Sequence, residues 1–165
     1  LALACTLIHE PRVIVLDEPT TGVDPVSRRE FWKLLSEFLS QGITIVMSTP
    51  YLDEAERCSR VALLHKGQLL ALDTPDALRR SLPGALFEVI APEHRKAVAA
   101  LRTFPDVANV QTFGERAHVR LTDAEGAAAD RLADELHRSG VAVTSVRQVP
   151  PSLEDVFVTR LGELQ

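Results

Sequence analysis

The order of apolar and polar positions divides the chain into short strand-like runs and longer helical stretches. Leu1 to Ile8 has helical composition and is stopped by His9-Glu10-Pro11. Val13-Ile14-Val15-Leu16 follows without a polar break, the pattern of a parallel strand covered on both faces, and it ends in two carboxylates, Asp17 and Glu18. Asp24-Pro25 reads as a helix start, because Asp caps free amides and Pro suits the first helical position. Behind it Phe31, Leu34, Leu35, Phe38 and Leu39 recur at helical spacing, which predicts a core-facing stripe. Gln41-Gly42 ends that helix, and Ile43-Thr44-Ile45-Val46-Met47 supplies a second, β-branched strand. The resulting strand-helix-strand crossover is expected to be parallel and right-handed.

A short helix from Tyr51 to about Cys58 comes next, then a hairpin of Val61–Leu64 and Gln68–Leu72 around Lys66-Gly67, then a helix near Asp76 to Arg80. Leu82-Pro83-Gly84 breaks both periodicities and marks a boundary, with one α/β domain over residues 1–82 and a second domain over 85–165. The second part reads as strand Leu86–Ile90, helix Glu93–Arg102, strands Val107–Phe113 and Ala117–Leu121, helix Gly126–Arg138 and strand Ala142–Val149. This βαββαβ order predicts a small ferredoxin-like α+β domain. After Pro150-Pro151, Ser152 is placed to cap a last helix carrying Leu153, Val156, Phe157 and Leu161.

Composition narrows the possibilities. With 45% apolar and 25% charged residues in 165, the chain has the balance of a globular protein. A formal net charge of −5 argues against a nucleic-acid binder, whose phosphate contacts need clustered Lys and Arg. The two cysteines, Cys5 and Cys58, are far apart and read as reduced thiols. No apolar run approaches the roughly 18 residues of a membrane span, so membrane contact is expected only through a partner. The chain starts at Leu1, inside a helical pattern and without an initiator Met, and is expected to be a piece of a longer polypeptide.

In parallel sheets ligands bind beyond the carboxyl ends of the strands, which puts Asp17, Glu18, Ser48 and Thr49 along one edge of a single crevice. A strand ending in Asp-Glu suits a pair in which the first carboxylate holds Mg²⁺, directly or through water, while the second orients or deprotonates an attacking water. Taken alone, such a pair also ends many strands as solvated charge. Here Pro19-Thr20-Thr21-Gly22-Val23-Asp24-Pro25, the capped helix and a second strand ending in Ser48-Thr49 follow in the order such a site needs. His9, His65, His94, His118 and His137 are scattered among different elements and suggest surface or packing roles, with no metal cluster. Asp53, Glu54 and Glu56 read as a solvated helix face with favourable charge near its N-terminus, a regulatory role beside the crevice being the alternative.

Together these segments resemble the ABC ATPase family, and within it the nucleotide-binding subunits of ABC-2-type exporters, along the whole chain. Leu1-Ala2-Leu3-Ala4-Cys5 resembles the helix after the family's signature motif, Asp17 and Glu18 its Walker B aspartate and catalytic glutamate, and Gly22-Val23-Asp24 its D-loop. Tyr51-Leu52-Asp53-Glu54-Ala55-Glu56-Arg57-Cys58 and the closing Pro151-Ser152-Leu153-Glu154-Asp155-Val156-Phe157 are similar to segments of the same group. The resemblance implies part of a P-loop NTPase parallel sheet followed by an accessory α+β domain. It further implies ATP and Mg²⁺ as cofactors, with Asp17 on the metal, Ser48 and Thr49 on the nucleotide side, and Gly22, Val23 and Asp24 at an interface between two ATPase subunits. The implied partner is an ABC-2-type permease, with the subunit peripheral on the cytoplasmic face of the membrane.

Two departures qualify this. The phosphate-binding loop, the glutamine loop and the Gly-Gly signature are absent from the chain; they precede the signature helix in the family, so truncation accounts for them and the chain alone is not expected to be active. Pro50 occupies the position of the family's switch histidine, which implies reduced turnover, although Thr49-Pro50 also suits the start of the next helix. Two other functions compete: a non-transport ABC ATPase acting on DNA or the ribosome, opposed by the acidic charge and the exporter-like ending, and a regulatory fragment whose Leu86–Val149 domain binds a small ligand or dimerises.

Overall fold

In the computed structural model the first two apolar runs form strands β1 (Val13–Asp17) and β2 (Thr44–Ser48), paired in parallel with Asp17 opposite Ser48. The structure describes residues 11–122 and 126–163. The expected helix over Leu1–Ile8, with Cys5 and the resemblance to a signature helix, lies outside them, as does His9. Two compact units divide between Arg57 and Cys58, upstream of Leu82-Pro83-Gly84.

In the first unit the crossover helix α1 spans Pro25–Ser40. The Asp24 carboxylate accepts from the amides of Val26 (3.0 Å) and Ser27 (3.1 Å), satisfying two of the orphan donors that every helix start leaves. Leu35 and Phe38 are buried against Ile14, with Phe31, Trp32, Leu16, Ile45 and Met47 packed around them. The apolar stripe is narrower than its spacing suggests, since Leu34 and Leu39 stay exposed. The expectation that β1 is covered on both faces is also corrected. Alternation puts Ile14 and Leu16 toward α1, while Val15 is 76% exposed and its neighbours Val13 and Val46 are exposed with it. A one-turn helix α2 (Leu52–Ala55) follows β2, shorter than the expected span to Cys58.

The second unit opens with the antiparallel hairpin β3 (Val61–His65) and β4 (Gln68–Asp73). Lys66 and Gly67 both have positive φ, 47° and 77°, the conformation that a two-residue turn needs to follow the twist of its strands. Thr74 caps α3 (Pro75–Arg80) by accepting from the Ala77 amide. Then come β5 (Ala85–Ile90), α4 (His94–Leu101), β6 (Val107–Phe113), β7 (Arg116–Leu121), α5 (Ala128–Arg138), β8 (Ser145–Val149) and α6 (Leu153–Gly162). The four strands form one antiparallel sheet in the order β6-β7-β5-β8. β8 begins three residues later than its apolar pattern suggests.

Phe87 and Val89 of the central strand face a core that also holds Val98 and Leu101 of α4 and Leu132 and Leu136 of α5. The other face carries Glu88 and its cross-strand partners His118 and Arg147. Burial pushes the Glu88 carboxyl up, but hydrogen bonds and charge from Arg147 and Arg116 outweigh that and hold it below the usual glutamate range. His118 Nδ1 lies 2.8 Å from Asp155, the third residue of α6. Asp155, 1% exposed, completes a reciprocal cap with Ser152, so the predicted start of the last helix is also its anchor to the sheet.

Candidate active site

The carboxyl end of the β1–β2 pair carries the chemistry-bearing groups. Ser48 Oγ donates a hydrogen bond to Asp17 Oδ1 across the two strands. The amide of Glu18 donates to the Ser48 carbonyl at 3.1 Å and lies 3.0 Å from its hydroxyl oxygen. One serine therefore ties both acidic residues to β2, a consequence of the Asp17–Ser48 register.

At Glu18 the chain leaves the strand with φ of +42°, in the left-handed region that costs a non-glycine residue about 1–2 kcal/mol. Such strain persists only where the surroundings impose it, and it concentrates at functional positions. Here the carbonyl of Glu18 accepts from the Thr21 amide (3.1 Å), the Thr21 hydroxyl donates to Glu18 Oε2 (3.2 Å), and the Thr20 carbonyl accepts from Val23 (3.0 Å). Consecutive turns thus fold residues 18–23 back on themselves and leave the Asp17 and Glu18 side chains exposed. Gly22 and Val23 sit on the outer part of this loop, and Asp24 ends it as the cap of α1. Hydrogen bonding from Ser27, then from the amides it caps, holds the Asp24 carboxyl below the usual aspartate range.

Beneath the loop lies a group that the sequence pattern misassigns. Glu54, expected on a solvated face, is 0% exposed. Its Oε1 accepts from Thr20 Oγ1 at 2.7 Å and from Arg28 Nε at 2.6 Å, and its Oε2 from Thr49 Oγ1 at 2.8 Å. Burial raises the Glu54 carboxyl, but these three donors and the Arg28 charge together bring it below the ordinary glutamate value. Arg28 also reaches Asp53 at 3.0 Å and lies over the Tyr51 ring, 4.7 Å from its centre. Helical geometry holds the signal that could have separated the acids: successive residues point about 100° apart, so Asp53 and Glu54 cannot share one face.

Thr49 accordingly faces inward at its hydroxyl, which also accepts from the Tyr51 amide at 3.1 Å. Pro50 is exposed, and the idea that it opens the next helix does not hold. Tyr51 is the cap residue and Leu52 the first helical one, because Thr49 forms a local turn with Tyr51 instead of capping an amide of the first turn.

Asp17, Glu18 and Ser48 present hard oxygen atoms, the donor type that Mg²⁺ takes. Among the described residues no group of three or more His, Cys, Asp or Glu side chains could hold an ion unaided. The set fits Mg²⁺ in its usual protein mode, with one or two carboxylates and the remaining positions left to water and substrate phosphates.

Comparison with known proteins decides the family. A family model described as "ATP-binding protein DrrA1-3-like, C-terminal domain" matches residues 74–160. The chain belongs to this family. Across 98% of its length it is also homologous to ABC transporter ATP-binding proteins, including the "Probable multidrug ABC transporter ATP-binding protein YbhF" of Escherichia coli (strain K12), with 39% identity over 164 residues that cover 28% of that protein. The "Daunorubicin resistance ATP-binding protein DrrA2" of Streptomyces coeruleorubidus is 35% identical over 167 residues, covering 52% of its length. The "Nod factor export ATP-binding protein I" of Rhizobium sp. (strain N33) is 35% identical over 164 residues, covering 51%. The chain thus spans between about a quarter and a half of the curated relatives it matches. The DrrA1-3-like match begins at Thr74, the cap of α3, and takes in the four-stranded sheet and most of α6.

Proposed function

We propose that this chain is part of the ATP-hydrolysing subunit of an ABC exporter, in which Mg²⁺-dependent ATP hydrolysis drives transport through a membrane permease. The observation that supports it most is the joint anchoring of Asp17 and Glu18 by Ser48 at the carboxyl end of a parallel strand pair. In this proposal Asp17 holds Mg²⁺, directly or through water, and Ser48 fixes the carboxylate that does so. Glu18 orients the attacking water and takes its proton, its carboxylate steadied by the Thr21 hydroxyl. Thr49 lines the nucleotide side through its main chain, since its hydroxyl is committed to Glu54. Gly22, Val23 and Asp24 meet a second ATPase subunit as a D-loop. Pro50 supplies no donor where the family has a histidine, so turnover is lowered but retained.

The architecture is that of a partial P-loop NTPase sheet over residues 1–82, followed over 85–165 by an accessory domain whose strand order β6-β7-β5-β8 is ferredoxin-like. The phosphate cradle belongs to the longer subunit, so the 165 residues alone are not active. The subunit sits on the cytoplasmic face of the membrane through its permease, an ABC-2-type partner; no helix among the described residues is long and apolar enough to cross a membrane.

The test is affinity purification of the full-length subunit from its native membranes. A stoichiometric polytopic membrane protein is the expected companion. Recovery of ribosomes or DNA instead would favour a non-transport ABC ATPase.

A further inference from the structure

We infer that Glu54 is a positioning residue of the ATP site, a buried carboxylate that fixes the loop carrying Glu18 to the end of β2 and to the start of α1. The inference deepens the proposed ATPase role and rests on it. Its basis is that three chain segments far apart in sequence converge on one side chain that is 0% exposed. Thr20, two residues beyond Glu18 and itself 3% exposed, donates at 2.7 Å. Thr49, the neighbour of the serine that holds Asp17, donates at 2.8 Å. Arg28 donates at 2.6 Å from the first turn of α1, where its amide also binds the Asp24 carbonyl at 2.9 Å.

Glu54 reaches neither the Asp17 nor the Glu18 carboxylate through these bonds, so its effect passes through the backbone. The strained φ at Glu18 needs an imposed geometry, and the Glu54–Thr20 bond supplies it from below the turn while Thr21 holds it from above. An ionised carboxylate suits the task, because it accepts from several donors at once and Arg28 cannot accept in return. Without it, Thr20 and Thr49 lose their common acceptor, and the Glu18 carboxylate drifts relative to Asp17. Displacements near 1 Å at a reacting centre can cost about 100-fold in rate.

The experiment compares full-length wild-type subunit with Glu54→Ala, Glu54→Gln and the Thr20→Val/Thr49→Val double variant, measuring kcat and KM for Mg-ATP per nucleotide-binding site. For Glu54→Ala and the double variant the expected result is a fall in kcat of about 10- to 100-fold with KM within about two-fold of wild type. Glu54→Gln keeps the volume and one acceptor oxygen, and is expected to recover a substantial part of kcat. Wild-type kcat per binding site in the double variant, which removes only two hydroxyls, would overturn the inference even if Glu54→Ala fails to fold. A parallel rise in KM with unchanged kcat would overturn it too. An inactive wild-type subunit would instead overturn the ATPase assignment.

Discussion

Ser48 stands opposite Asp17 across the β1–β2 pair, and its one hydroxyl donates to the Asp17 carboxylate while its oxygen lies 3.0 Å from the Glu18 amide. If Asp17 is the metal-side carboxylate of the proposed site, this hydrogen bond orients it before any ion binds. Replacing Ser48 with Ala removes a hydrogen bond to a charged group, worth about 1.5–3 kcal/mol. The expected outcome in the full-length subunit is a rise of roughly ten-fold or more in the Mg²⁺ concentration for half-maximal ATPase activity. A magnesium titration reads it directly, and an unshifted midpoint would detach Ser48 from the metal side.

Pro50 offers no hydrogen-bond donor, and in the proposed site it stands where the resemblance implies a switch histidine. Pro50→His in the full-length subunit is expected to raise kcat, since donors aimed at developing phosphoryl charge contribute to transition-state stabilisation. Steady-state ATPase assays check this; equal turnover in the two proteins would show that Pro50 imposes no deficit. Because Pro50 precedes the helix cap rather than opening α2, the substitution is expected to leave the helix start unaltered.

The strands and the long helices were legible in the sequence because their signals are local: the β-branched runs of β1 and β2, the Asp24-Pro25 start, Lys66-Gly67 and Ser152 all do what their chemistry predicts. The two carboxylates at the end of β1 were legible for the same reason. What the sequence concealed depends on tertiary partners. Helical spacing separates Glu54 from Asp53 but does not say which side is buried, since that depends on donors from Thr20, Arg28 and Thr49. The exposure of Val15 was hidden similarly, because a continuous apolar run states that a strand can be covered on both faces, not what covers it. The tie between His118 and Asp155 joins residues 37 apart and has no sequence periodicity to announce it.

Acid sensitivity follows from Glu54 and Glu88, whose folded carboxyls both titrate below their ordinary values. A depressed folded pKa means that the unfolded chain binds more protons as pH drops. The stabilisation is therefore full above the unfolded value of about 4.3 and is lost as pH falls through the folded values. Urea midpoints of the chain are expected to decline below about pH 5. Glu88→Gln, which leaves Arg116 and Arg147 without a carboxylate, should lower the midpoint at neutral pH and flatten the acid decline; an equally steep decline would assign it to other groups.

Gly84 adopts φ of +83°, and a Cβ built there would lie 2.0 Å from the Leu121 carbonyl oxygen. Alanine at this position combines left-handed strain with a backbone clash, so Gly84→Ala is expected to cost more than the roughly 1 kcal/mol of φ strain alone. Equilibrium urea unfolding checks it. A loss below about 1 kcal/mol would mean that the turn between α3 and β5 relaxes freely.

The central claim is that Asp17 and Glu18 are the metal-side and water-side carboxylates of an ATP-hydrolysing site. Single-turnover hydrolysis of Mg-ATP by the full-length subunit, wild type against Glu18→Gln, tests it most directly. The predicted result is retained nucleotide binding with a rate reduced about 100-fold or more, the scale of losing a positioned general base. Hydrolysis at the wild-type rate with glutamine at position 18 would contradict the account.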